Sequence, residues 1–517
     1  MVRLSQILFL LLILFSINST SIAQSNIIAG SEDEIIYRDL LLKNEVSSKS
    51  SFTVRPLMHS IQDTSQIKGG YFFSTTSLIE LVRMKRTSIH LLPLTLESQF
   101  NNRPFGTRNN GSFLSVTGYQ QKMNTGLEFS SPILDFRLNP ELLWVNSNQI
   151  PVGDQLHLYA GQSMVRLKAG KTIALTAGTE NMWWGPAVFN SLMMSNNAPG
   201  FPHLSIHSYK PIELSIGTVE FNLLGGHLSN SRGFPMENFN LRPIEQSLPN
   251  NEKYKRYFSG LNFAYQPVFI PGFTVGINRM LQYYTFDQKK QGGLVQTYLP
   301  VLTSIFKSKT GGNNGLDEDA RNRDQLINIF GRYFFKEYHL EVYGEFGWND
   351  HKYNLRDLAS NPDHAAAYNI GLRKVITTGS KKFYTIETEI TQMAPTNSDI
   401  ARPAGNWYVH GGVLEGYTNH GQIIGGGVAP GDNTATLRFS KTTEKLRQSV
   451  TIERYQHDPQ FNSIKWTDWR IGFRHQQQFK SMTIGAGLDL MSSKNYLHAV
   501  GNKFTYMPSI KIMYHWK

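Results

Sequence analysis

The stretch YHLEVYGEFGW, residues 338–348, alternates strictly between two kinds of side chain. The first set is mostly apolar or aromatic and comprises Tyr338, Leu340, Val342, Gly344, Phe346 and Trp348. The second set contains two carboxylates in mid-stretch and comprises His339, Glu341, Tyr343, Glu345 and Gly347. Because successive side chains of a β-strand point to opposite faces, this period of two predicts a strand with one apolar and one polar face.

The same alternation recurs in TATLRFSK (434–441), DWRIGFR (468–474) and MTIGAGLDL (482–490). A soluble β-sandwich also alternates, but three features favour a membrane barrel. Strand lengths cluster near ten residues, about the tilted length that crosses a bilayer. Aromatic residues lie at strand ends, as an interfacial girdle requires: Tyr338, Trp348, Trp469 and Trp516. Charges of both signs lie mid-strand, where a lumen tolerates them: Glu341, Glu345, Arg373, Glu387, Glu389, Arg438 and Arg474.

The predicted connections alternate between short and long from strand 88–99 onward. The short connections include 122–125, 169–171, 336–337 and 479–481, and the long connections include 181–202, 229–255, 285–324 and 393–432. Bacterial barrels have short periplasmic turns and long outer loops, and an even number of strands. We therefore predict an all-β fold, an antiparallel transmembrane β-barrel of about 18 strands. Its last strand, Ser509–Trp516, ends one residue before Lys517, whereas outer-membrane proteins usually end on the aromatic residue itself.

The N-terminal 23 residues carry one arginine, an apolar run and the small-residue end Ser21-Ile22-Ala23. This pattern predicts a signal peptide, residues 1–23, cleaved after Ala23; an uncleaved signal anchor is the alternative. Within residues 24–87, EIIYRDLLL (34–42) and TTSLIELVRMK (75–85) have helical spacing. We expect a periplasmic helical cap or plug there, with a disordered leader as the alternative. The barrel is predicted to occupy residues 88–517.

The composition limits the classes of partner. The chain has no cysteine, which excludes disulfides and thiolate metal sites, and a formal net charge of +12. Positive charge attracts acidic polymers or phosphate-rich lipid, although a generic basic surface explains it equally well. An exported chain without a basic tract does not predict nucleic-acid binding. We expect a monomer in contact with outer-membrane lipid, located in the outer membrane of a Gram-negative cell.

No nucleophile elbow, zinc-protease or nucleotide-binding motif is present in the sequence. His203 and His207 share a strand face but lack further clear ligands. The acidic stretch 311–324, with Asp317, Asp319 and Asp324, lacks the spacing of a dedicated calcium loop, and we interpret it as a solvated loop. Glu387 and Glu389 are typical of paired lumen carboxylates. We therefore expect no enzyme, no metal and no cofactor.

Three predicted outer loops combine aromatic residues with Asn, His, Arg and Gly. They are 181–202, 100–112 with Arg103, and 405–433 with Trp407, Tyr417, Asn419 and His420. Sugars present C–H faces that stack on aromatic rings, and hydroxyl groups that bind amides and guanidinium groups. Arginine adds charge-assisted bonds to acidic sugars. This composition fits a carbohydrate-binding surface, although loops are rich in Asn and Gly for other reasons.

Within the first of these loops, ENMWWGP (180–186) places Trp183 and Trp184 side by side directly after a predicted strand, 172–180. Membrane anchoring at the girdle is one interpretation. With a period of two, at most one ring faces lipid, and the other points to the barrel mouth near Glu180 and the pair Asn196-Asn197. Gly185-Pro186 is predicted to fix the turn that orients both rings, so that replacing each tryptophan separately should have different effects.

The sequence resembles the Wzi-type capsule-assembly family. The resemblance rests on E-x-x-W-W-G-P at 180–186 followed by SNNA at 195–198, and on the order of further blocks. These blocks are YRDLLL near residue 38, LLPLTLESQFNNRPFG (91–106), SGLNFAYQPVFIPGFTVGINR (259–279), LEVYGEFGWND (340–350) and EGYTNHGQIIGGGVAPGDN (415–433). The resemblance covers roughly residues 37–517. Ala187 stands where the family pattern leads us to expect another glycine.

The resemblance implies an outer-membrane barrel lectin that anchors capsular polysaccharide at the cell surface, and no enzymatic activity. Carried over by the motif, the site residues are Glu180, Trp183, Trp184, Gly185, Pro186, Asn196 and Asn197. A channel for solutes or polysaccharide is the second hypothesis, because about 18 strands can enclose an aqueous lumen. An outer-membrane polysaccharide hydrolase, supported only by the lumen carboxylates, is the third.

Overall fold

A closed antiparallel barrel of 18 strands forms the body of the protein. The computed structural model describes residues 27–57, 61–63, 87–104, 109–150, 153–230, 255–305, 321–349, 354–379, 381–395, 405–428, 431–459 and 462–516. The first nine strands are β1 Ser88–Asn101, β2 Gly118–Ser130, β3 Leu134–Leu138 with Glu141–Asn146, β4 Leu156–Tyr159 with Met164–Ala169, β5 Ile173–Gly178, β6 His203–Ser208 with Ile212–Leu214, β7 Gly217–Leu228, β8 Arg256–Pro267 and β9 Phe273–Tyr284. The other nine are β10 Asp324–Phe335, β11 Leu340–Asn349, β12 Ala366–Thr377, β13 Lys382–Gln392, β14 Asn433–Thr443, β15 Leu446–His457, β16 Trp466–Phe479, β17 Met482–Lys494 and β18 Asn502–Tyr514. β18 pairs with β1 and closes the barrel.

The alternation predicted from the sequence is confirmed in β11. Glu341, Tyr343 and Glu345 are buried in the lumen, while Val342 is exposed on the outer face. The predicted lumen charges also pair as expected, for example Arg373 Nη1 with Glu387 Oε1 at 3.4 Å. An outward apolar face and an inward ion-paired face are what a barrel in lipid requires.

The alternation of long and short connections is confirmed, with one error. The predicted turn at residues 122–125 lies inside β2, which continues to Ser130 before a short turn leads to β3. In β2, Lys122 points into the lumen, where its Nζ lies 3.0 Å from Glu97 Oε2 on β1. This ion pair and the strand ladder outweigh the local turn preference of Asn124. Longer loops follow the odd-numbered strands and form one end of the barrel, the long-loop end.

Few helices occur in the described part of the chain. The longest is α1, Glu32–Leu42, with Ser31 as N-cap, in agreement with the helix predicted over 34–42. Two shorter α-helices, α2 Leu294–Tyr298 and α3 Leu355–Ser360, lie in loops, as do short 3-10 helices such as Thr285–Lys290. Among the described residues, none of these helices is long and apolar enough to cross a membrane. The helix predicted over 75–85 falls outside the described residues.

Residues 27–57, here called the N-terminal plug, lie inside the barrel. Asp39 of α1 is buried, and its carboxylate accepts hydrogen bonds from Arg373 Nη2 at 2.8 Å and from Thr385 Oγ1 at 3.0 Å. A third donor is Arg447 Nη1 at 3.3 Å. Asn44 Nδ2 donates to the Lys336 carbonyl, so the end of α1 lies near the short turns. Buried ion pairs between the plug and the wall therefore fix the plug in the lumen.

A matched pair of substitutions tests this attachment. Asp39→Ala leaves two buried guanidinium groups without their shared carboxylate, and we expect a loss of about 3–5 kcal/mol in unfolding free energy. Lys49→Ala removes only the exposed pair with Glu213 and should cost about 0–1 kcal/mol. Denaturant unfolding in detergent, with limited proteolysis of the plug, measures both. Equal stability of the two variants would contradict a plug held by its buried ion pairs.

Candidate functional site at the long-loop end of the barrel

The loop between β5 and β6, residues 179–202, folds into the lumen and is here called the WWGP loop. Trp183 and Trp184 form a two-residue antiparallel bridge with Arg55 and Val54 of the plug. Both indole rings are buried. The interpretation that one ring faces lipid is therefore wrong, because pairing with the plug draws the whole dipeptide inside the wall.

Two wall carboxylates hold the backbone of this loop. Glu345 accepts hydrogen bonds from the Ala187 N–H at 3.2 Å and the Leu192 N–H at 3.0 Å. Glu389 accepts from the N–H groups of residues 188–190 at 2.7–3.1 Å. Buried backbone N–H groups without an acceptor would cost about 1–3 kcal/mol each. The mid-strand glutamates that the sequence placed in the lumen thus act as supports for the loop.

The carbonyl groups of the same turn are held from the opposite side by the plug. Arg55 Nη2 donates to the carbonyls of Gly185 at 2.7 Å and Ala187 at 3.2 Å, and Arg38 Nη2 donates to that of Pro186 at 3.1 Å. The Arg55 guanidinium also stacks over the Trp183 ring, 4.9 Å from its centroid. Gly185 has φ +104°, a left-handed conformation, which agrees with its predicted role in the turn.

Glu180 begins the loop with an ion pair to the wall. Its Oε1 lies 2.8 Å from Arg166 Nη2 on β4, and both side chains are buried. Burial favours the neutral acid, but the neighbouring guanidinium outweighs it and lowers the pKa of Glu180. Glu180 therefore carries a charge that the wall already compensates.

A second long loop, residues 405–428, packs on the WWGP loop. The Tyr417 hydroxyl donates to the Met193 carbonyl at 2.9 Å, and the Tyr408 hydroxyl donates to the Leu192 carbonyl at 2.8 Å. Trp184 and Trp407 are buried in the same apolar cluster. Of the predicted ligand-binding aromatics, Tyr417 thus joins the two loops, and Trp407 lies in the cluster between them while its Nε1 donates to the Ala365 carbonyl.

The side chains of the predicted asparagines donate hydrogen bonds to backbone carbonyl groups and do not project outward. Asn197 Nδ2 donates to the Ile423 carbonyl at 3.1 Å, and Asn419 Nδ2 donates to the Pro199 carbonyl at 2.9 Å. Asn196 Nδ2 donates to the Ala29 carbonyl of the plug. These bonds join three chain segments that are far apart in sequence.

Arg103 and His420 lie at the rim of the long-loop end and are half-buried. The Arg103 guanidinium lies over the Tyr496 ring, 5.9 Å from its centroid, and His420 meets Tyr159 edge-on at 5.4 Å. They are therefore the two predicted site residues that combine partial exposure with an aromatic neighbour. Polysaccharide binding stays a prediction for every one of the predicted site residues.

The sequence did not single out an internal cavity of about 330 Å³, here called the lumenal cavity. It lies between the plug, the WWGP loop and the wall formed by β14–β18 and β1. Phe189 of the loop and Arg438 and Arg474 of the wall are among its lining residues. Both arginines were predicted to face the lumen. The position of the cavity could not be predicted, because the packing of the loops determines which part of the lumen stays unfilled.

His203 and His207 both point into the lumen from β6. His207 Nε2 lies 2.8 Å from Thr176 Oγ1, and His203 Nδ1 lies 2.9 Å from the Phe201 carbonyl oxygen. Within the described residues, no group of three or more His, Asp or Glu side chains is arranged to hold a metal ion. Asp324 accepts from Gln282 Nε2 at 2.7 Å, whereas Asp317 and Asp319 fall outside the described part of the chain.

Residues 103–492 match the family described as "Capsule assembly protein Wzi". The chain belongs to the Wzi family. Its WWGP loop and the loop at 405–428 therefore lie within the region that defines the family, and the barrel is an outer-membrane protein. No curated protein matches the sequence as a relative.

One solved structure agrees with this assignment at the level of the fold. The Escherichia coli protein Wzi, described as an outer-membrane carbohydrate-binding β-barrel involved in group 1 capsule assembly, has a TM-score of 0.65 to this chain. The two are 13% identical, over 95% of this chain and 100% of the other. OpdQ of Pseudomonas aeruginosa has a TM-score of 0.40 and 9% identity, over 83% of this chain and 97% of the other.

The contact between Gly185 and Glu345 gives a direct test of the loop geometry. A Cβ at position 185 would lie 2.3 Å from Glu345 Oε1 and would be strained at φ +104°. Gly185→Ala should therefore cost about 1–3 kcal/mol of stability. Gly405→Ala is the control, because nothing lies within 4 Å of its Cβ position. Thermal unfolding in detergent compares the two, and a neutral Gly185→Ala would exclude the tight contact.

Proposed function

We propose that this protein binds exported capsular or related surface polysaccharide and holds it at the cell surface. The proposal rests on the observation that the WWGP loop and the loop at residues 405–428 are joined by hydrogen bonds inside the barrel. Side-chain–backbone bonds such as Ser195 Oγ to the Gly425 carbonyl join them, and so do the tyrosine bonds to Leu192 and Met193. A surface ordered before its ligand arrives loses less entropy on binding.

Membership of the Wzi family supports a role in capsule assembly. The carbohydrate binding described for the structurally similar Escherichia coli protein is consistent with the same role here. A channel requires an open lumen, whereas the described parts of the WWGP loop and of residues 405–428 occupy the lumen and bury an apolar cluster there. The packing therefore favours a lectin over a channel.

Deleting the gene in the producing strain tests the proposal. We expect polysaccharide synthesis to continue while the cell-bound fraction falls and the fraction in the medium rises. Complementation with the wild-type chain should restore attachment. Unchanged cell-bound polysaccharide in the deletion strain would contradict the proposal, and stable single-channel conductance of the purified barrel would favour the channel.

The rim residues give a finer test with purified protein. Arg103→Ala with His420→Ala should weaken binding of the strain's own polysaccharide about tenfold or more, because a lost charge-assisted bond is worth about 1.5–3 kcal/mol. Lys381→Ala is the matched control, since Lys381 is exposed in the turn between β12 and β13 at the opposite end. Equal affinity of the rim variant and the control would exclude the rim as a binding surface.

A further inference from the structure

The lumenal cavity has the size and the lining of a ligand site. Its volume of about 330 Å³ lies within the range of pockets that hold small ligands, about 300–1,000 Å³. One side is formed by α1 of the plug and by residues 188–190 of the WWGP loop. The other is the inner face of β14–β18 and β1. The cavity therefore lies beside the WWGP loop, which carries the sequence motif of the family. Of the predicted site residues, Trp183 lines it.

On the strand side, basic side chains lie closer to the cavity than the carboxylates with which they pair. The side chain of Arg474 is 38% exposed, whereas that of its partner Asp489 is 2% exposed, with 2.5 Å between Nη2 and Oδ2. Arg438 likewise covers the fully buried Glu387. Lys511 is 36% exposed beside Glu97. Since guanidinium and ammonium groups reach further into the cavity than these carboxylates, this wall presents donors and positive charge to a ligand.

Among the described residues, five acidic side chains also line the cavity, and each has a basic partner: Glu32, Glu34, Glu97, Glu453 and Asp489. Glu32 of α1 lies 3.1 Å from Arg447 Nε, and Glu97 lies between Lys122 and Lys511. Each of these carboxylates is compensated locally, and seven basic side chains of the described residues line the cavity against these five acidic ones, so the lining has an excess of positive charge. Arg438 and Arg474 contribute to that excess in front of more deeply buried carboxylates.

The loop side supplies an apolar face. Phe189 lines the cavity, is half-buried, and has the Arg438 guanidinium stacked 4.6 Å from its ring centroid. Neutral polar groups complete the opposite wall, with Gln476, Ser449 and Ser509 among the lining residues. An aromatic ring opposite hydroxyl, amide and guanidinium groups matches a sugar ring that carries hydroxyl groups and an acidic substituent.

We propose that the lumenal cavity binds one acidic sugar residue of the polysaccharide, with its carboxylate at Arg438 and Arg474 and its C–H face on Phe189. The inference rests on the proposed lectin function and adds the class of sugar and a binding position inside the barrel. Recognition is noncovalent and requires no further group.

Binding of defined probes to the purified full-length protein tests the class of sugar. Short oligosaccharides of glucuronate should bind at least about tenfold more tightly than the matching glucose oligosaccharides. Arg474→Gln and Phe189→Ala should each weaken glucuronate binding about tenfold, whereas Lys494→Gln, which removes an exposed charge outside the cavity, should not. The heat-dependent mobility shift of folded barrels verifies that each variant is folded.

The outcomes separate this inference from the lectin function. If the strain's polysaccharide binds equally to wild type, Arg474→Gln and Phe189→Ala, the cavity proposal fails and the lectin stands. If wild type does not bind that polysaccharide at all, the lectin function itself fails. Preferential binding of lipopolysaccharide from a strain lacking the exported polymer would show that the acidic sugar comes from another source, and would overturn the proposal.

The absence of cysteine from the chain allows a second test of position. A single Ser509→Cys substitution places one thiol on the cavity wall, and Lys494→Cys places one outside it. A small thiol reagent should label both, and bound glucuronate oligosaccharide should slow labelling at 509 only. A thiol at 509 that never reacts, or that reacts equally fast with the oligosaccharide present, would exclude occupation of the cavity.

Discussion

Two buried carboxylates in the barrel wall determine how the interior is built. Glu345 and Glu389 accept hydrogen bonds from the backbone amides of residues 187–192 and so draw a long loop down into the lumen. Without these acceptors, buried N–H groups would lack partners, at a cost of about 1–3 kcal/mol each. The position of Trp184, the apolar cluster and the contact with the second loop all depend on this attachment.

The wall and the plug hold different backbone groups of the WWGP loop. The wall holds the N–H groups of the WWGP turn through acids, while Arg38 and Arg55 of the plug hold its carbonyl groups. Arg55 is itself paired with Glu34 at 2.7 Å, and Arg38 with Glu341 at 2.6 Å. The plug, the loop and the wall are thus one connected network of compensated charges. Displacement of the plug would leave buried carbonyl groups of the loop and the carboxylate of Glu341 without these donors.

The sequence predicted the wall well because the signal for a strand is local. The alternation in residues 338–348 and the spacing of turns require only neighbouring side chains, and both are confirmed. The turn expected at 122–125 was wrong because the pairing of Lys122 with Glu97 is a contact between strands, which no local pattern contains.

The contacts inside the barrel could not be predicted from the sequence, because they too join segments that are far apart in the chain. Trp183, Asn196 and Asn419 have the composition of a sugar-binding loop, yet in this fold their partners are Arg55, the Ala29 carbonyl and the Pro199 carbonyl. Those partners come from distant segments, and a single sequence does not reveal which segments meet.

The position of the lumenal cavity also bears on how the barrel closes. Its lining includes residues of β1 and β18, the two strands whose pairing closes the barrel. The cavity therefore lies against the junction of the first and last strands. That junction is joined by six residue pairs, against thirteen between β17 and β18. The plug is anchored on other strands, among them β11, β12 and β13. The hydrogen bonds that hold α1 therefore lie away from the junction of the first and last strands, across the lumenal cavity.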